Sequence, residues 1–165
     1  MILRKATFDD VSDVMRILAQ ARQAQRRAGF RQWDDGYPSP DVVEADISNG
    51  VGYILDDGGV AAGYVAIARR DEEYDRHPKL WDVTMDYAVF HRIAIADDYR
   101  GQKLSATLFD QAEALAVRMG AKAIRIDTGL ENRPMQHILA KRGYTILGQC
   151  TFTWGERLAC EKQII

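Results

Sequence analysis

Between Val89 and Ser105 the chain reads V-F-H-R-I-A-I-A-D-D-Y-R-G-Q-K-L-S, and this stretch constrains the fold more than any other. Val89 to Ala96 is β-branched and apolar, which suits a buried strand, while apolar residues from Lys103 onward recur at the 3.6-residue period of a helix. A strand therefore passes into a helix through a short polar turn. The first turn of a helix leaves N–H groups unpaired at the positive end of its dipole, so such a junction attracts anions. That attraction is worth about 0.3–1 kcal/mol per exposed charge. Arg100 and Lys103 add two formal charges at the same spot, and the turn reads as a phosphate site.

The elements around this junction follow from caps and periodicity. Met1 to Ala6 is a short strand, and Thr7 with Asp10 marks a helix start. Val11, Val14, Met15, Leu18 and Ala21 then form one apolar stripe, with Gly29 ending the helix. The segment F-R-Q-W-D-D-G-Y-P that follows is aromatic without periodicity. Trp33 and Tyr37 there either line a pocket for a second substrate or pack their own loop down. Ser39 and Pro40 open a second helix that Gly50 closes. Val51–Leu55 and Val60–Ala68 are strands around a D-D-G-G turn. Arg69 to Lys79 reads as a solvated loop, with Tyr74 and His77 available for substrate contact, and Trp81 to Ala96 as one long strand. The helix after the turn carries Leu104, Leu108, Ala112, Leu115, Ala116 and Met119 on one face and stops at Gly120. Ala121–Asp127 is a strand, Glu131 or Asn132 caps a short helix ended by Gly143, and the last strands run over Tyr144–Gln149 and Arg157–Ile164.

Composition removes several classes of function. The 165 residues, 47% of them apolar, suit one domain with a real core spanning 1–165. A net charge of −2 gives no basic footprint, so nucleic acid is not an expected partner. No run of 18 apolar residues occurs and the N-terminal apolar run is too short for a signal peptide, so the expectation is a cytoplasmic protein with no membrane contact. Cys150 and Cys160 do not have a metal spacing, and no metal is expected. They lie opposite each other if the terminal hairpin turns near Gly155, although two free thiols suit a reducing cytosol better.

The segment Ile93-Ala94-Ile95 followed by Arg100-x-x-Lys103-x-Ser105 resembles the acyl-CoA binding motif of the GNAT superfamily of N-acyltransferases. Its turn usually reads Arg/Gln-x-x-Gly-x-Gly/Ala, so Lys103 and Ser105 stand where the family has small residues. Two readings stay open: a modified phosphate site to which Lys103 adds charge, or a degenerate one. The element order β-α-α-β-β-β-α-β-α-β-β is that of the family. Asn132, Met135, Ile138, Leu139, Gly143 and Tyr144 also stand at the places of its Asn-x-x-(apolar)-x-x-Leu-Tyr-x-x-x-Gly-Phe pattern, with Leu139 where the tyrosine falls. The resemblance covers the whole chain and implies an α+β fold with a mixed, mostly antiparallel central sheet flanked by helices. It further implies an acetyltransferase that takes acetyl-CoA as cosubstrate and a small-molecule or peptide amine as acceptor.

What the resemblance implies residue by residue is specific. Ile93, Ala94 and Ile95 would pair with pantetheine as an added strand, and one of their amides would face the thioester oxygen. The pyrophosphate would lie on Arg100, Gly101, Gln102, Lys103, Leu104 and Ser105. Asn132 would bond the pantetheine arm, cap a helix, or do both. His91 is the expected base, since a histidine with an unperturbed pKa near ~6.5 accepts a proton at neutral pH. The arylalkylamine N-acetyltransferases of the superfamily carry a histidine there, although a structural strand histidine is the competing reading. Asp127 would hold the acceptor's ammonium or remain a solvated strand end. The family's tyrosine acid is Leu139 here, which leaves His137, Tyr144 or no acid at all. Lys103, Ser105 and Leu139 also admit a non-catalytic acyl-CoA sensor. A dinucleotide oxidoreductase is disfavoured by the lack of G-x-G-x-x-G. Direct transfer is expected, because both cysteines lie far along the chain from Ile93, and the last strands admit a homodimer.

Overall fold

Helix boundaries fall where the capping residues put them. In the structure, a computed structural model that describes residues 1–164, Ser39 Oγ accepts from Val42 N at the head of a helix whose first residue is Pro40. Gly29, Gly120 and Gly143 each follow a helix in the left-handed conformation that closes its last turn. The elements are β1 (Ile2–Lys5), α1 (Val11–Arg27), α2 (Pro40–Ser48), β2 (Gly52–Asp57), β3 (Val60–Ala68), α3 (Glu72–Asp75), β4 (Tyr87–Ile95), α4 (Leu104–Arg118), β5 (Ala123–Thr128), α5 (Arg133–Lys141), β6 (Thr145–Phe152) and β7 (Gly155–Gln163). The strands hydrogen-bond in the order β1-β2-β3-β4-β5-β7-β6. β4 and β5 are parallel, which requires a crossover, and α4 provides it. The β1–β2, β2–β3, β5–β7 and β6–β7 pairs are antiparallel. The expected α+β class and element order are therefore present, with α3 added. Among the described residues no helix is long and apolar enough to cross a membrane.

By its internal contacts the chain falls into two units, one of Met1–Ile67 with His91–Ala114, the other of Ala68–Phe90 with the residues from Leu115 on. In the first, Val14, Ile17 and Leu18 of α1 follow the i, i+3, i+4 pattern and are fully buried, together with Val43 of α2, Ile54 of β2 and Tyr64 of β3. Each such aliphatic side chain contributes about 1.5–3 kcal/mol of burial free energy. β2 and β3 turn through Gly58 and Gly59, whose φ of +62° and +96° suit a two-residue turn between Asp57 and Val60. Leu55 faces Gly63 while Asp56 faces Ala61, so Ala62 is an extra residue in β3.

In the second unit the core is aromatic: Tyr74, Trp81, Tyr87 and Phe152, with Val89, Ala123, Cys150 and Ala159. Here the structure corrects three expectations from sequence. The segment Arg69–Lys79 is not wholly a solvated loop, because α3 lies within it and Tyr74 is fully buried, stacked on Trp81 with ring centroids 4.6 Å apart. The strand expected from Trp81 begins only at Tyr87; Trp81 is buried from a loop, its indole N–H donating to the Tyr74 carbonyl at 2.8 Å. The terminal hairpin turns at Thr153–Trp154, with Phe152 opposite Gly155, which sets Cys150 opposite Arg157 and Cys160 opposite Ile146. The cysteines thus do not face each other, and both are free and buried.

Arg125 of β5 is also fully buried, paired with Glu161 of β7 at 2.7 Å and donating to the Asp82 carbonyl at 2.6 Å. Its guanidinium lies 4.1 Å from the Tyr87 ring centroid. Both faces of β5 are covered, so Arg125 and Asp127, which share one face of the strand, are not solvated.

Candidate active site

The second half of β4 departs from regular strand geometry at one residue. Arg92 has φ +54°, a conformation that a side chain disfavours because Cβ then crowds the following carbonyl. It is held by its own side chain: Nε and Nη2 donate to the two Asp46 carboxylate oxygens at 2.9 and 2.6 Å, and Nη1 donates to the Tyr37 phenol oxygen at 3.0 Å. Tyr64 completes the group by donating its phenol to Asp46 Oδ2 at 2.6 Å. Burial and the Asp46 charge push the Tyr64 pKa well up, so it remains a donor.

His91 and Ile93, on either side of Arg92, are half-buried, Ala94 is buried and Ile95 half-buried. Gly63 of β3 lies against this segment. A Cβ there would stand 3.0 Å from the Ala94 carbonyl oxygen and 2.9 Å from the tip of Ile95, so a larger residue would displace the strand.

The turn after β4 is anchored on several sides. Ala96 N donates to the Ala62 carbonyl, Asp97 N to Gln20 Oε1, and Tyr99 Oη to Asp57 Oδ2, each at 2.9 Å. Arg100 forms an ion pair with Asp97 at 2.7 Å and reaches the Gln20 carbonyl. Gly101 and Lys103 both have positive φ, +76° and +59°, and α4 starts at Leu104. Gly101, Gln102 and Lys103 are exposed, Ser105 is half-buried and Leu104 belongs to the core. Lys103 thus adopts the conformation for which glycine is suited, and the turn keeps its shape without that glycine. An exposed turn opening a 15-residue helix with a lysine at its head is chemically suited to a diphosphate.

Of the aromatic loop, Trp33 is a core residue at 8% exposure, while Tyr37 is 38% exposed and meets it edge-on at 6.5 Å. The structure therefore separates two residues that the sequence pattern groups together.

In the second unit, the parallel register runs from Tyr87↔Ala123 to Val89↔Arg125, and β5 continues to Thr128. Asp127 near its end accepts from Tyr74 Oη at 2.5 Å and Trp154 Nε1 at 3.0 Å, with Arg157 3.7 Å away. Burial, followed by the Asp127 charge, raises the Tyr74 pKa well above the ordinary value. Asn132 caps α5, its Oδ1 accepting from Met135 N at 3.2 Å. On α5, Leu139 is buried and His137 exposed; Tyr144 is buried with the Lys162 ammonium 5.6 Å from its ring centroid. Cys150 Sγ lies 3.2 Å from His77 Nδ1, and its thiol pKa is raised by burial; burial pushes Cys160 up to about 11.

Sequence reasoning missed Arg92, Asp46, Tyr64 and Gly63. A glycine interior to a strand is a readable sign of close approach, so Gly63 was within reach. Arg92 was not, because nothing in H-R-I announces a left-handed arginine.

Comparison with known proteins bears on the family and the fold. Residues 18–144 match the family model described as the acetyltransferase (GNAT) family. A GNAT-family acetyltransferase from Streptococcus agalactiae is 30% identical, with a TM-score of 0.82, covering 99% of this chain and 95% of that one. YesJ of Bacillus subtilis, an uncharacterized N-acetyltransferase, is 22% identical over 156 residues, 87% of this chain and 81% of its own. The PaiA N-acetyltransferase of Thermoplasma acidophilum, solved in complex with coenzyme A, shares the fold at a TM-score of 0.72 and 14% identity, covering 99% of this chain and 98% of that one.

Proposed function

We propose, for a chain that belongs to the GNAT family of acetyltransferases, direct transfer of the acetyl group of acetyl-CoA to a primary amine of a small molecule or peptide. Acetyl-CoA-dependent acyl transfer is the family's activity; the acceptor and the residue roles are our reading. The observation that carries it is the turn from Arg100 to Ser105. Lys103 takes the positive φ of a glycine at the head of α4, where unpaired helix amides favour an anion, and this supports the phosphate reading. This favours a modified phosphate site over a degenerate one.

The segment Ile93–Ile95 lies beyond the Arg92 distortion, where its backbone lines the pantetheine arm and offers an amide to the thioester oxygen. Asn132 caps α5 through its Oδ1. An amine with an ordinary pKa near ~10.4 must lose a proton before it attacks. His91 takes that proton directly or through a water. The nitrogen then adds to the thioester carbonyl, the C–S bond breaks, and the thiolate leaves; with a thiol pKa near ~8.5 it departs with no tyrosine at Leu139. Tyr37 forms a wall of the acceptor site. Asp127 is the weaker acceptor contact, since Tyr74, Trp154 and Arg157 already surround it.

The test is thiol release from acetyl-CoA against a panel of polyamines, amino acids, aminoglycosides and peptides with free N-termini. At least one amine should be acetylated. His91→Ala should then lower kcat about 100-fold at pH 7 and much less above pH 9, where the amine deprotonates unaided. A parallel loss at both pH values would remove His91 from proton transfer.

A further inference from the structure

Arg92 combines features that a strand residue seldom shows together: a left-handed backbone, a charged side chain only 13% exposed, and hydrogen bonds that reach residues far from it in the chain. Disfavoured backbone conformations persist only where the surroundings over-determine them. Here they do. Asp46, on α2, gives Arg92 a two-point acceptor and is itself buried, at 8% side-chain exposure. Tyr64, from β3, donates to the same carboxylate, and Gly52 of β2 leaves room for that phenol, since a Cβ there would lie 3.0 Å from it. Tyr37 accepts from the remaining terminal nitrogen. Burial works against the charged guanidinium, but the Tyr37 oxygen and the Asp46 carboxylate outweigh it, so Arg92 is charged at any pH at which the protein would act.

The position of Arg92 in the chain gives this arrangement its consequence. His91 precedes it and Ile93 follows it, so the φ angle of Arg92 sets how the histidine ring and the Ile93 amide are aimed relative to one another. Nη1 meanwhile holds Tyr37, the exposed aromatic of the α1–α2 loop. A planar guanidinium suits this role, because two parallel donors fix orientation on the carboxylate and a third is left for the phenol, which a lysine cannot imitate.

We infer that Arg92 is a positioning residue, which through Asp46 fixes the left-handed step of β4 and through Tyr37 fixes the aromatic loop, so that the acetyl-CoA strand and the acceptor wall take up one geometry together. The inference rests on the reading of Ile93–Ile95 as the acetyl-CoA strand. It predicts that loosening Arg92 disturbs acetyl-CoA affinity and loop order at once, since the side chain is committed to Asp46 and Tyr37.

The experiment uses the full chain, acetyl-CoA alone as ligand in calorimetry, and the rate of tryptic cleavage after the exposed Arg31 as a report on the loop. Arg92→Gly tolerates φ +54° but lacks the clamp; it should weaken acetyl-CoA binding about tenfold and speed cleavage after Arg31. Tyr37→Phe keeps the ion pair and should speed cleavage with a smaller change in affinity. Arg92→Lys, which keeps charge without the fork, should fall between wild type and Arg92→Gly in both readouts, and it replaces Arg92→Gly if circular dichroism shows the glycine variant unfolded. A purely structural clamp would lower Tm while leaving the affinity of the folded variant within about twofold of wild type, and that result overturns the inference. Wild-type protein that binds no acetyl-CoA would instead sink the strand reading on which it rests.

Discussion

Lys103 shows how much one residue can conceal. From sequence it is a lysine where the family carries a small residue, and its charge is the only property that can be read. The structure adds a φ of +59°, which costs a residue with a Cβ roughly 1–2 kcal/mol that glycine does not incur. Glycine also gains freedom in the unfolded chain, worth about 0.4–1 kcal/mol in the other direction. Lys103→Gly should therefore stabilise by up to about 1.6 kcal/mol, or up to about 3–6 °C in Tm for a chain of this size. The same substitution removes a cation from the turn and should weaken acetyl-CoA binding. Differential scanning calorimetry with a parallel binding isotherm checks both, and a lower Tm would mean that Lys103 is held by contacts that outweigh its backbone strain. His91 and Arg92 make the complementary case. The chemistry of imidazole can be read from H-R-I, whereas the direction in which that ring is aimed depends on its neighbour's φ, which depends on a carboxylate 46 positions earlier in the chain.

At the scale of elements, the caps and stripes of α1, α2, α4 and α5 were legible because they are local. The α3 segment and the start of β4 were not, because Tyr74 and Trp81 are buried by each other and by Phe152, a residue far along the chain from both. The tether at the start of the chain shows a similar dependence on distant partners. Arg4 of β1 donates to Asp10, just before α1, at 2.8 and 2.9 Å, and to Asp56 of β2 at 2.6 Å. The Arg4 hydrogen bond is the main cause that lowers the Asp10 pKa to about 2. A carboxylate whose folded pKa is depressed stabilises the fold above its unfolded value, and that contribution is lost as pH falls from about 4 to about 2. Arg4 is partly exposed, so screening reduces the contribution to on the order of 1–2 kcal/mol. Urea melts should show wild type more stable than Asp10→Asn by about this amount near pH ~6, with the gap closing by pH ~2. A gap unchanged by acid would mean that the ion pair contributes nothing.

For the molecule as a whole, the terminal hairpin is the instructive case. A turn centred earlier than the sequence suggested moves Cys150 away from Cys160, so each thiol is separately buried, and burial is the first cause of both raised pKa values. A raised thiol pKa means little thiolate at neutral pH. Native protein at about pH 8 should react with iodoacetamide at least about tenfold more slowly than protein in guanidinium, at both positions, by mass spectrometry of the peptides. Fast labelling of Cys150 in the native state would show that its contact with His77 activates rather than shelters it.

The sequence by itself determined the α+β class, the order of strands and helices and the strand–turn–helix junction at Arg100–Ser105, because period, caps and turn residues are properties of short windows. Tertiary structure alone decided that Arg92 would be left-handed, that Asp46 and Tyr64 would hold it there, that Trp33 would be buried while Tyr37 stayed exposed, and that Asp127 would be engaged by Tyr74 and Trp154. Each of these is settled by which distant side chains compete for the same buried donor or acceptor. A buried polar group must find a partner wherever the fold supplies one, and no window of the chain records where that will be.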